Sequence, residues 1–122
     1  MAVCDVYRNL NKGGLSAKAV SGENRGRVVE RAGTALVEGA TFRVQRAGLM
    51  RARREGQRNV HAFVRGEASM GADVRHVFEH PDAVPVRYNP FLADHFVRAD
   101  NGEPVTEARV VGISEGRMAA LF

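Results

Sequence analysis

The 122-residue sequence has no tryptophan, a single cysteine and only four prolines. No stretch of it approaches the roughly 18 consecutive apolar residues that a membrane-spanning helix needs. Cys4 alone excludes an internal disulfide and suits a reducing compartment. The first ten residues have neither a basic start nor a long apolar run, so neither a signal peptide nor a membrane anchor is expected there. Acidic residues are also in short supply: 14 Asp and Glu face 18 Lys and Arg, nearly all arginine, for a net charge of +4. That balance, with an isoelectric point near 10.0, favours polyanionic partners where the charge is clustered. The 44% hydrophobic and 26% charged residues are close to globular averages and exclude a disordered or fibrous chain. The length is that of one domain able to bury a core without disulfides or metals.

Segments of five to eight residues rich in β-branched and aromatic side chains recur between turn residues, the pattern of a meandering antiparallel sheet. They are 6–10, 15–20, 26–31, 34–38, 40–45, 59–65, 86–88, 95–99 and 107–114. Asn11-Lys12-Gly13-Gly14, Ser21-Gly22-Glu23-Asn24 and Asp100-Asn101-Gly102 supply the positive φ of tight turns. Strict alternation places Phe42, Val44, Val60 and Val64 on an inward face, and Val110 joins them as the expected core. Residues 46–55 lack β-branched side chains and are stocked with Ala, Leu, Met, Arg and Glu, which predicts a short helix stopped by Gly56. From Ser69 to Pro85 the period is lost, and prolines at 81 and 85 argue against a central strand, so an irregular loop is expected over 69–84. It would join residues 1–68 to a C-terminal hairpin unit at 85–122. The fold class is α+β, β-rich, within a single domain.

His76-Val77-Phe78-Glu79-His80 has the H-x-x-E-H spacing of inverted zinc peptidases. That chemistry needs both histidines on one helical face and a third ligand from a later helix. Pro81 disfavours helical backbone at His80, and no ligand-bearing helix follows, so we read the match as chance. Ser16, Ser21, Ser69 and Ser114 lie in no nucleophile elbow. Gly13-Gly14 and the Gly22 to Gly26 stretch lack the Lys-Ser/Thr of a phosphate loop. Asp94, Asp100 and Glu103 are turn carboxylates. No catalytic residue, metal or cofactor is expected.

The strongest local bias is cationic. Arg46, Arg51, Arg53, Arg54, Arg58 and Arg65 fall within twenty residues, broken only by Glu55, and run into a strand bearing His61 and Phe63. Guanidinium groups grip phosphates bidentately and an exposed ring can stack on a base, so these eight residues form the candidate nucleic-acid surface. Nominal helical angles set Arg46 and Arg53 on the side of Leu49 and Met50, with Arg51 and Arg54 elsewhere. Tyr88-Asn89-Pro90-Phe91 brackets a turn with two aromatics and reads as a core corner, or as a protein-binding anchor if exposed.

Three stretches carry a resemblance: residues 6–12, VYRNLNK; residues 58–64, RNVHAFV; and residues 86–91, VRYNPF, with Asp100-Asn101-Gly102-Glu103-Pro104-Val105. Together they resemble small proteins encoded by phages, prophages and plasmids, over most of the chain except residues 69–84. The Asn-Val-His-Ala-Phe-Val run is the most specific part. The resemblance implies a bacterial mobile element as the setting and carries no particular activity or site.

The leading expectation is therefore a non-catalytic mobile-element accessory protein in the bacterial cytoplasm that binds nucleic acid or a nucleoprotein through its arginine-rich face. The alternatives are an anti-CRISPR-like inhibitor that occupies a host defence protein, and a minor virion or assembly component. No membrane partner is expected.

Overall fold

The computed structural model describes residues 3–114 and 116–122. Its elements in chain order are β1 (Val3–Arg8), β2 (Leu15–Ala19), β3 (Val28–Ala32), β4 (Thr34–Val44), α1 (Arg46–Glu55), β5 (Ala62–Met70), α2 (Arg75–Phe78), β6 (Val84–Arg87), β7 (Val97–Arg98), β8 (Glu107–Ser114) and β9 (Arg117–Leu121). All the strands join one sheet in the order β3-β2-β1-β5-β4-β8-β9-β6-β7, and every pairing is antiparallel. The protein is thus β-rich α+β, as the alternation of its sequence implies.

Period-2 alternation builds the core on one face. Ala17 pairs with Val6, Val6 with Val64 and Val64 with Phe42, a row of inward side chains across β2, β1, β5 and β4. A second row runs from Val37 to Val111 to Ala120. The two rows are out of phase within β4: Ala35 and Val37 are buried at odd positions, Ala40 and Phe42 at even ones. A bulge reconciles them. Pairing with β5 shifts between Glu38 and Thr41, where Gly39 takes φ 59°, a left-handed conformation that suits glycine. The break at 39 that suggests two strands is one bent 11-residue strand.

The sheet curls back on itself. Three strands separate β5 from β6 in the sheet order, yet the His61 ring just before β5 lies 2.6 Å from the hydroxyl of Tyr88 just after β6. Phe96 beside edge strand β7 likewise meets Phe42 of β4 with ring centroids 5.0 Å apart and stacks on Tyr88 at 5.1 Å. The core fills the concave side, and α2 covers part of the other side, with Val77 directly over Gly112 of β8.

The structure corrects several expectations. The segment 69–84 is not one irregular loop: it holds the end of β5, the single turn α2 and the start of β6. Pro85 is accommodated because β6 is only four residues long and lies near the sheet edge. Strand β9, made of Arg, Met, Ala, Ala and Leu, shows no β-branched signature and forms through its hairpin with β8. Among the expected core residues Phe42 and Val64 are buried, whereas Val44 and Val110 are half-buried. Val60 is 37% exposed, because β5 starts only at Ala62 and the alternation extrapolated back to 59 does not apply.

Candidate nucleic-acid interface

Helix α1 spans Arg46–Glu55 as its composition dictates, and Gly56 at φ 66° closes it by donating its N–H to the Ala52 carbonyl. Leu49 and Ala52 are its buried residues. Arg46, Arg51, Arg53 and Arg54 are all exposed. Of these, Arg53 is tied down, its Nε donating to the Pro90 carbonyl at 2.7 Å. Beyond the helix, the Arg58 guanidinium lies 5.8 Å from the centroid of the Phe91 ring, which is 44% exposed. No ion pair involves Arg46, Arg51, Arg54 or Arg58 among the described residues.

The other three expected site residues are not on this surface. His61 and Phe63 are 2% and 3% exposed. Phe63 meets Tyr7 edge-on, centroids 5.6 Å apart, and the Lys18 ammonium lies 5.2 Å from its ring. Arg65 forms a bidentate pair with Asp5 across β1 and β5, at 2.7 and 2.8 Å, and this bond holds its guanidinium charged. The reasons differ: His61 and Phe63 are covered by neighbours on the face of the sheet opposite Val64, whereas Arg65 keeps about a third of its side chain exposed but has its charge engaged by Asp5.

His61 is held in a relay of fixed polarity. The Asn59 amide nitrogen donates to the Gly48 carbonyl at 3.1 Å, which leaves its Oδ1 as acceptor for His61 Nδ1–H at 2.6 Å. His61 Nε2 then accepts from the Tyr88 hydroxyl. Burial pushes the His61 pKa below its ordinary value, with the Arg58 charge adding in the same direction. Burial also raises that of Tyr88. The neutral imidazole is therefore the native form. Gly48 makes room for the ring: a Cβ there would lie 2.4 Å from His61 Cβ.

Sequence reasoning missed Leu92, and it read Phe91 as core or, if exposed, as a protein-binding anchor. The corner it assigned to the core is split, with Tyr88 half-buried and Pro90 buried, while Phe91 and Leu92 project at 44% and 81% exposure. Asn89 carries the signal, since its Oδ1 accepts the Phe91 N–H and turns the chain outward. His76 and His80 are exposed on and beside the one-turn α2, and His80 Nδ1 accepts the Asp82 N–H. Among the described residues no three His, Cys, Asp or Glu side chains converge on a metal-sized site. Nor is any helix among them long and apolar enough to cross a membrane.

With this geometry in hand, comparison with known proteins is decisive for ancestry. A family model described as the Mycobacterium phage L5 gene 82 protein matches residues 2–121. The chain belongs to that gene 82 family. The Gene 82 protein of Mycobacterium phage L5 itself is 32% identical over 121 residues, covering 94% of this chain and 92% of its own. No solved structure matches the chain. Membership of the gene 82 family makes this a phage-type protein, as the three quoted stretches imply, and the family carries no assigned activity.

Proposed function

We propose that this gene 82 family protein is a non-catalytic phage accessory protein that works in the bacterial host cytoplasm by binding nucleic acid through α1 and the segment after it. The observation that supports the reading is the set Arg46, Arg51, Arg54 and Arg58, exposed and without ion-pair partners among the described residues. Surface guanidinium groups left unneutralised are free to release counterions from a phosphate backbone. Phe91, under the Arg58 guanidinium, takes the stacking role first given to Phe63, since it is the exposed ring beside the cations.

The test is the salt dependence of binding to short DNA and RNA. Affinity should fall on a log-log plot with a slope of about −0.7 to −0.9 per phosphate contact, and Arg51→Ala/Arg54→Ala/Arg58→Ala should lower that slope by about two to three units. Wild-type protein that binds neither nucleic acid at low salt, or a triple variant that binds equally well, overturns the reading. A second reading, occupation of a host defence protein, is supported by the adjacent apolar side chains of Phe91 and Leu92, 44% and 81% exposed. Stoichiometric capture of one host protein, lost on Leu92→Asp, would select it.

A further inference from the structure

The turn that carries Phe91 is tied down against the last turn of α1. Asn89 braces it twice: its Oδ1 accepts the Phe91 N–H at 3.0 Å, and its backbone carbonyl accepts the N–H groups of Leu92 and Ala93 at 3.1 and 3.0 Å. Pro90 is buried, its ring fixes the backbone at that position, and its carbonyl accepts from Arg53 Nε of α1 at 2.7 Å. Backbone held at so many points leaves the Phe91 ring little freedom. The Arg58 guanidinium lies over that ring, 5.8 Å from its centroid, and it comes from the segment after α1 and not from the turn itself. With 44% of the residue exposed, the ring is a fixed platform among cations. Asp94, the only acidic residue from 88 to 96, is already engaged, accepting from His95 Nδ1 at 2.6 Å.

We propose that the nucleic acid taken by this surface is single-stranded, with one unpaired base stacked on the Phe91 ring and the adjoining phosphates held by Arg54 and Arg58. This strandedness rests on the nucleic-acid reading above and sharpens it. Charge alone would favour a duplex, whose two strands release more counterions per contact than one strand does. A ring reverses that preference, because the face of a base is free only where the base has left the double-helical stack. Each base stacked on an aromatic side chain strengthens single-strand binding by roughly fivefold to a hundredfold. Insertion into a duplex is disfavoured by the same geometry: a wedge between base steps needs both of its faces, and the Arg58 guanidinium occupies one side of this ring. Every base has a π-face, so the preference is for an open strand and not for a sequence.

The test compares a strand of about 12 nucleotides, within the range of single-strand site sizes, with the same strand annealed to its complement. Wild-type protein should prefer the single strand about tenfold, and Phe91→Ala should erase that preference while leaving the salt slope unchanged, because the lost contact carries no charge. The chain has no tryptophan, so Phe91→Trp places one indole at the platform. Its fluorescence should be quenched by saturating single strand and little changed by duplex. Equal or tighter binding of the duplex by wild type, a preference that survives Phe91→Ala, or an indole unquenched by the single strand overturns the proposal. If the salt slope in those cases still depends on Arg51, Arg54 and Arg58, the nucleic-acid reading stands without it; binding of neither form overturns both.

Discussion

One arginine-rich stretch of sequence is divided by the fold into two regions of opposite character. On α1, Arg46, Arg51 and Arg54 point into solvent without ion-pair partners. A few residues later Arg65 is locked to Asp5, Phe63 is covered, and His61 is threaded into a chain of hydrogen bonds. Both regions carry arginine, but 46–55 has no β-branched residue while 58–65 has two valines and a phenylalanine, and the number of neighbours differs accordingly. A helix with two buried residues shows most of its circumference to water, whereas β5 lies between β1 and β4 with packing on both faces. Clustered charge in a sequence therefore marks a binding surface only after the strand residues have been subtracted from it.

Substitutions can break this contrast, and the largest effect should come from the strand. Phe63→Ala should lower unfolding stability by about 3 to 5 kcal/mol, measured by urea denaturation, because it empties a covered aromatic site. A variant of unchanged midpoint would return Phe63 to the surface. The Asp5–Arg65 pair comes next. Asp5→Ala should cost about 1.5 to 3 kcal/mol, and a double-mutant cycle with Arg65→Ala should show the two losses to be far from additive. Additive losses would mean that the pair is only a rim contact.

The third effect depends on pH. The folded His61 pKa is depressed, so above the ordinary value of 6.5 both folded and unfolded chains hold a neutral ring and stability is undiminished. As pH falls below that value the unfolded chain takes up a proton more readily, and stability declines toward the depressed folded pKa. His61→Gln should flatten that part of the profile, and a wild-type profile level from pH 7 to 5 would remove His61 from the interior. The smallest effect belongs to the helix: Arg51→Ala with Arg54→Ala should move stability by no more than about 0.5 kcal/mol, leaving any change in nucleic-acid affinity attributable to lost charge.

The elements were largely legible in the sequence because they rest on local signals. The helix at 46–55 followed from the absence of β-branched residues and the glycine behind it, and β8 at 107–114 from its Val and Ile content. What was not legible depended on partners distant in the chain. Strand β9 has ordinary helix-forming residues and exists because β8 offers it a ladder. The burial of His61 is decided by Tyr88, 27 residues away, and that of Phe63 by Tyr7. For the candidate site the cations were readable and the aromatic was not, since only the turn at Asn89 determines that Phe91 faces out while Tyr88 faces in.

The strand order has a consequence for how the chain comes to be folded. Asp5 meets Arg65 across 60 residues, and β4 pairs on its other edge with Glu107–Ser114. On a translating ribosome the β1–β2–β3 meander can form early, but its β1 edge stays open until β5 has emerged, and β4 waits longer still for β8. Long-range closures of this kind slow folding relative to local ones. The nascent chain therefore passes through a stage in which an incomplete sheet presents unpaired backbone, and its folding rate should be set by the arrival of its last third.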